Sequence, residues 1–472
     1  MTKSLRLAMI IAVVVGGCSA APSADTAPAV DPPARERVIV LTDIGTDPDD
    51  VQCLIRLMLY SNEIEIAGLV ATTSVHQKDR TEPGLIQEVV EAYGAAYPSL
   101  TAHAPGYPKP EDLETLIATG QPGYGMSSIG DGRDTIGSNL IISTLDDDDP
   151  RPVWISIWGG PNTLAQALQT IRATRSPADA ARLVGKLRVY AISDQDDSAA
   201  WIRREFPGLF YIASPGAFDS STWVAITKAY AGAEEEISPA WLAENVQQGH
   251  GPLGALYPDV VYGMEGDTPA FLGLVPNGLN VPERPDWGGW GGRYELYTPD
   301  PERLDRKGYT NGVPVEDETR PFWTNANDRY VSTTGTVFND NKATLWRWRK
   351  DFQNDFAARM DWTVRDYDHA NHPPVPEVGG PLNFTVRSGE RIELDASKSS
   401  DPDADVLSFE WFNYPEAGTL DAPIGETVSA AQAVFEAPRV ERAQTAHFIL
   451  RVTDDGEPAL SRYARVIVTI EP

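Results

Sequence analysis

From residue 37 to about residue 292, short apolar runs alternate with stretches of helical spacing. The runs at 38–41, 66–71, 153–158, 187–192 and 209–213 read as strands. Between them, 49–60, 85–97, 163–173 and 198–205 carry apolar residues at the three- and four-residue spacing of a helix with one buried face. This alternation predicts an α/β domain, a mostly parallel sheet with helices on both faces. The stretch 284–294, RPDWGGWGGRY, is a loop by its glycines and carries Trp287 and Trp290. Residues 297–373 are polar and aromatic, with one helix predicted around 342–357, and are expected to wrap the first domain. HPPVP at 372–376 is a stiff linker. Beyond it the period changes to two: 384–386, 391–394, 406–411, 446–452 and 463–470 alternate apolar and polar residues between turn signals such as Ser388-Gly389 and Asp454-Asp455-Gly456. That pattern predicts an all-β sandwich of about 90 residues closing around Trp411.

The most telling junction is 39–50, IVLTDIGTDPDD. An apolar strand runs into a turn bearing Asp43, Asp47, Asp49 and Asp50, and a helix follows. Ligands of such sheets bind beyond the carboxyl ends of the strands. Four crowded carboxylates repel one another unless they are solvated, in a turn where Asp49 caps the helix, or hold a cation; hard oxygen donors suit Ca²⁺ or Mg²⁺. Three further polar segments fall at strand ends or turns that should converge there: Ala71-Thr72-Thr73-Ser74-Val75-His76-Gln77, Gly159-Gly160-Pro161-Asn162-Thr163-Leu164-Ala165, and Met264-Glu265-Gly266-Asp267-Thr268-Pro269.

Charge narrows the partners. The chain of 472 residues has 68 acidic against 39 basic residues, a formal charge of −29, which repels phosphate backbones and argues against nucleic acid. Six histidines and two cysteines leave little room for zinc or thiol chemistry. Cys53, on the first helix beside Leu54 and Leu57, reads as a buried structural thiol.

The first residues read as a targeting segment. Lys3 and Arg6 precede a short apolar run at 7–15, and Val15-Gly16-Gly17-Cys18 resembles a bacterial lipobox. The resemblance implies a signal peptide over 1–18, cleavage before Cys18 and lipidation of its thiol. Ser19 in the next position resembles the outer-membrane sorting pattern, so an outer-membrane lipoprotein is expected, touching membrane only through that anchor. Residues 19–36, rich in Ala, Pro and Ser, read as a flexible tether. The expected organisation is then 37–296 for the first domain, 297–373 for an extension and 374–472 for the sandwich.

The acidic loop, the Thr-Thr strand end and the Gly-Gly-Pro-Asn-Thr-Leu-Ala turn together resemble the nucleoside hydrolase superfamily. Ser193-Asp194-Gln195-Asp196-Asp197, His250-Gly251-Pro252-Leu253-Gly254-Ala255, the 263–269 segment and Trp287-Gly288-Gly289-Trp290-Gly291-Gly292 extend the likeness, in order, to the bacterial cellulose-binding, nucleoside-hydrolase-like family. The resemblance implies Ca²⁺-assisted hydrolysis of an N-glycosidic bond, with the ion holding a sugar diol and a water while an aspartate acts as base. Carried over by position, Asp43, Asp47, Asp50, Asp267 and the carbonyl of Asn162 would hold the metal. Asp43 or Asp47 would be the base and His250 a candidate acid, and Asp49, His76 and Asn162 would contact the sugar. The superfamily loop D-x-D-x-G-x-D-D has Gly45 here where its second aspartate should stand, and the turn pair is reversed. A second reading follows: a non-catalytic binder of polysaccharide using the same site, with Trp287, Trp290 and Tyr294 as a platform. The run LDASKSSDPDADVLSFEW resembles cadherin-like and polycystic-kidney-disease-type repeats; Asp401, Asp403 and Asp405 read equally as a Ca²⁺ site or as a plain acidic turn.

Overall fold

β1 (Glu36–Thr42), β2 (Ile64–Ala71), β3 (Ile117–Thr119), β4 (Val153–Ile157), β5 (Leu187–Ala191), β6 (Phe210–Ala213), β7 (Tyr294–Tyr297) and β8 (Phe322–Asn325) make one sheet in the order β3-β2-β1-β4-β5-β6-β8-β7. Every pair runs parallel except β7 with β8. These elements come from a computed structural model that describes residues 35–214, 222–227, 235–299, 318–332, 334–420 and 423–472. Cys18 and tether residues 19–34 lie outside them. Among the described residues no helix is long and apolar enough to cross a membrane.

Both faces of the sheet are buried, as the apolar runs require. Val38 and Val40 join one core with Leu54, Met58, Val89 and Tyr93 of the helices Asp49–Leu59 and Pro83–His103. Ile39 and Leu41, a half-period out of step, join a second with Ile141, Leu164 and Leu168 of the helices Ile136–Asp146 and Asn162–Thr174. Cys53 is free and buried in the first core.

The extension does more than wrap. β8 enters the main sheet between β6 and β7, and β9 (Asp328–Val331) and β10 (Val337–Asp340) form a hairpin beside it in sequence. The predicted helix is two, Ala343–Trp346 and Arg349–Asp361. The break sets Trp348, fully buried, edge-on to Tyr414 and Tyr463 of the sandwich. The longer helix clamps the first one: Arg359 Nη1 donates to Leu59 O at 2.8 Å and Tyr60 Oη to Asp355 Oδ1 at 2.6 Å.

The sandwich pairs β11 (Asn383–Arg387), β13 (Ser408–Asn413), β15 (Gln444–Thr453) and β16 (Ser461–Glu471) in the order β11-β16-β15-β13, opposite β12 (Arg391–Asp395) and β14 (Gln432–Glu436). Trp411 is fully buried between them. The sandwich also shares the first domain's core through Tyr414, Ile449 and Tyr463, and residues 35–472 form a single compact unit. Tyr463 N donates to Asn277 O at 3.0 Å, and Arg465 Nη2 to Leu279 O and Gly288 O, both at 2.9 Å. Gly278, at φ +83°, makes this approach feasible, because a Cβ there would stand 1.9 Å from Tyr463 O.

Candidate metal and sugar site

The strand order turns back on itself between β1 and β4, and the crevice at their carboxyl ends is where a doubly wound sheet binds ligands. The acidic loop opens into it. Thr42 Oγ1 donates to Asp50 Oδ1 and accepts from Ile44 N at 3.1 Å, folding the turn so that Asp49 and Asp50 enter the helix in its first turn. Carboxylates there face the positive end of the helix dipole.

Asp267 is brought to them by one face of the same helix. Gln52 Oε1 accepts from Glu265 N at 2.9 Å, and Arg56 pairs with the Glu265 carboxylate at 2.7 Å, both side chains fully buried. Tyr257 Oη donates to Glu265 Oε1 at 2.8 Å. Two residues beyond this knot, an oxygen of Asp267 lies within 4.8 Å of oxygens of Asp49 and Asp50. Each of the three residues is 2 % exposed.

Asp43 stands beside them, oriented by Ser74 Oγ at 2.5 Å and Thr46 Oγ1 at 3.3 Å. Gly159 makes room for it: a Cβ there would sit 2.8 Å from the Asp43 side chain. Asp47, half-buried on the rim, accepts from Asp49 N at 3.3 Å. These five acids line a cavity of about 440 Å³ with His76, Arg80, Trp158, Gln195, Trp223 and Tyr262.

Burial raises the pKa of all five, and most of all those of Asp49, Asp50 and Asp267, which their acidic neighbours push further. Ser74 partly offsets the rise at Asp43. Among the described lining residues the basic ones are His76 and Arg80, and Arg80 is exposed and bonded to Glu82 at 2.9 Å. Such a set of carboxylates is stable either protonated or around a hard cation, and its oxygen donors fit Ca²⁺.

The walls are aromatic. Trp158 closes β4 and accepts from Gln195 at its carbonyl; Gln195 Oε1 is buried without a donor. The Trp223 ring lies on Gly263 and Gly266, and Tyr262 stands at the mouth, 73 % exposed. The sequence assigned no site role to these four or to Ser74, although Ser74 and Gln195 fall in segments singled out above. Ser74, Trp158 and Gln195 follow strands directly and were findable by that rule, whereas Trp223 and Tyr262 sit in loops without periodicity.

Four expected site residues lie elsewhere. Asn162 begins its helix, where a carbonyl is taken by the amide four residues on, and its amide ties Thr73 Oγ1 at 3.0 Å to Gly123 O at 2.8 Å. His250 is buried against Asp361 at 3.2 Å. Trp290 is fully buried and donates to Tyr463 Oη at 3.3 Å. Trp287 packs edge-on to His447 with the Arg284 guanidinium 4.2 Å above its ring. Trp290 is thus closed off and Trp287 is half-buried with its ring engaged, so the two do not form a paired open platform.

Residues 37–294 match the family model described as "cellulose-binding Sde182, nucleoside hydrolase-like domain", and residues 391–470 match "cellulose-binding protein Sde0182, C-terminal domain". A comparison with curated proteins finds no match. Among solved structures the chain is similar to a nucleoside hydrolase-related hypothetical protein from Saccharophagus degradans, described as associated with carbohydrate metabolism: 36 % identity, TM-score 0.79, 93 % of this chain and 100 % of that one. The effector protein XOO4466 matches over 71 % of this chain and 95 % of its own at 11 % identity and TM-score 0.32, too slight to bear on the fold. The fold is nucleoside-hydrolase-like, and the chain belongs to the cellulose-binding, nucleoside-hydrolase-like family whose model spans 37–294.

Proposed function

We propose that the chain is a Ca²⁺-dependent hydrolase of an N-glycosidic or related glycosyl bond. One observation carries this reading: Asp49, Asp50 and Asp267, from two distant segments, gather buried carboxylate oxygens within 4.8 Å at the switch point of the sheet. A Ca²⁺ ion held by these three, with Asp43 and Asp47 beside it, would supply a site for a sugar diol and a polarised water.

The chain's own residues divide the remaining work. Asp43, aimed by Ser74 and Thr46, is the base. Gln195 Oε1 offers an unused acceptor to a sugar hydroxyl. Trp158 and Trp223 line the cavity and make part of its wall apolar, which helps exclude water and suits a sugar's C–H groups. His76, exposed on the rim, is placed to give a proton to a leaving group.

A second reading, binding of polysaccharide without turnover, draws on the family's description as cellulose-binding and on Gly45, at the cavity edge where the superfamily has an acid. Nucleosides and cello-oligosaccharides assayed with and without Ca²⁺ separate the two. Ca²⁺-dependent release of base or sugar supports the hydrolase. Binding across the same panel without any release supports the binder. Lipid attachment at Cys18 would place either at the outer membrane, and mass spectrometry of the mature amino terminus tests it.

A further inference from the structure

A second cavity, of about 310 Å³, abuts the acidic one, and Gly45, Thr46 and Asp47 line both. The crest of the acidic loop thus borders two spaces of opposite character. On one side it orients acids: Thr46 Oγ1 donates to Asp43 Oδ2 and Asp47 Oδ1 accepts from Asp49 N, both at 3.3 Å. On the other it meets Val51, Leu85, Val89 and Leu256, from the helices Asp49–Leu59, Pro83–His103 and Gly251–Leu256, with Pro48 and Pro258 beside them. Val51, Leu85 and Leu256 pack on the first core and keep part of their side chains uncovered. Among the described residues lining this cavity, Glu88, which is exposed, and Asp47 are the charged ones.

Two features tie the cavities together. Gln52 Nε2 donates to Pro258 O at 3.0 Å while its Oε1 accepts from Glu265 N at 2.9 Å, so one buried side chain sets the apolar wall and the Asp267 segment relative to each other. Gly45 has φ +105°, and a Cβ there would stand 3.2 Å from Leu85 Cδ1 and 3.0 Å from Glu82 Cγ. A side chain at this position would project into the gap between the loop and the helix Pro83–His103. Glycine, where the superfamily carries an acid, keeps that side of the loop open.

We propose that this second cavity is a subsite for an uncharged, apolar aglycone, such as an aromatic ring, joined to the sugar that the acidic cavity holds. The proposal rests on the sugar-binding reading given above. Its size falls in the range of about 300–1,000 Å³ usual for small-molecule pockets. A second sugar unit there would turn hydroxyls toward valine, leucine and proline side chains, and polar groups buried without partners are costly. An anionic group would be repelled by the five acids of the first cavity and by Glu88 of the second. An apolar contact made equally before and during bond cleavage tightens binding without speeding the chemical step, so its signature belongs in KM.

Calorimetric titration of the whole protein, in Ca²⁺, with matched glycosides tests it. The probes are the methyl, phenyl and 4-carboxyphenyl β-ribofuranosides and β-glucopyranosides, and methyl β-cellobioside. A phenyl glycoside should bind about tenfold or more tightly than its methyl partner, and the carboxyphenyl glycosides and the cellobioside should show no such gain. Leu85→Trp fills the cavity and should erase most of the phenyl gain. Glu88→Lys, at an exposed position, should make the 4-carboxyphenyl glycosides bind more tightly than they do to the parent, which reads the subsite even if Leu85→Trp fails to fold. Where the parent releases phenol, Leu85→Trp should raise KM more than it lowers kcat. A phenyl gain without any release would refute the hydrolase and uphold this subsite. Release of the aglycone with equal affinity for methyl and phenyl partners would uphold the hydrolase and overturn the subsite. So would a phenyl gain that survives in folded Leu85→Trp, or the failure of every phenyl glycoside to bind the parent.

Discussion

The indole Nε1 of Trp223 donates a hydrogen bond to Asp49 Oδ2 at 2.8 Å. One side chain therefore forms a wall of the cavity and steadies an acid in its floor. Trp223→Phe keeps the ring and removes the donor. A hydrogen bond to a charged group is worth about 1.5–3 kcal/mol, so Ca²⁺ affinity should fall roughly tenfold to a hundredfold at neutral pH. The measurement is Ca²⁺ titration of parent and variant; an unchanged affinity would show that Asp49 does not face the ion.

Gly266 lies under the same ring. A Cβ there would stand 1.9 Å from Trp223 Nε1, so Gly266→Ala must push the indole off Asp49. Overpacking of this kind costs about 1–3 kcal/mol. Thermal unfolding should show the loss, and Ca²⁺ binding should weaken as in Trp223→Phe.

Stability should depend on pH in opposite ways with and without Ca²⁺. Burial and mutual repulsion raise the Asp49, Asp50 and Asp267 pKa values well above 3.8 in the fold. Their contribution to the ion-free fold is therefore present at acid pH and lost as pH climbs from about 3.9 through the raised values, because the native state holds more protons than the unfolded one. A bound ion reverses this for the same groups. The Tm increment due to Ca²⁺ should be small near about pH 5 and grow towards about pH 8. An increment independent of pH would place the ion elsewhere.

Removing the base should separate turnover from binding. Asp43→Asn preserves shape and hydrogen-bonding size, and should lower turnover about 10²–10⁴-fold with sugar affinity nearly kept. Asp47→Asn, on the rim, should do less. The reverse order would move the base to Asp47. Asp50→Asn should damage binding and turnover together.

Arg56 and Glu265 form a fully buried pair that holds the Asp267 segment. Arg56→Ala leaves a carboxylate buried and uncompensated, at a cost of about 3–5 kcal/mol. Chemical denaturation should report it, and Ca²⁺ affinity should drop because Asp267 is no longer held.

The acidic loop was legible because an apolar strand runs straight into it, and Asp267 because a resemblance supplied a position that periodicity could not. The central strands were legible to within one or two residues of their ends, and 198–205 was read as the helix Ser198–Glu205, whereas the three-residue β3 and the helix Ile136–Asp146 were not read. The failures share a cause. His250 and the 287–290 loop look available in one dimension, and both are claimed by residues far along the chain, His250 by Asp361 and Trp290 by Tyr463. β8 went unread because FWTN is too short to show a period. Trp223 and Tyr262 carry no local mark of the cavity they line.

The clamp of Arg359 on Leu59 spans 300 residues and reaches the helix that begins with Asp49. At about 5–20 residues per second of synthesis, that helix waits roughly 15–60 s for its partner. Arg462, which binds Asp355 on the clamping helix, is made later still. The first helix is thus left unclamped until the Arg349–Asp361 helix has been made, and the clamp is itself secured only when Arg462, near the carboxyl terminus, reaches Asp355.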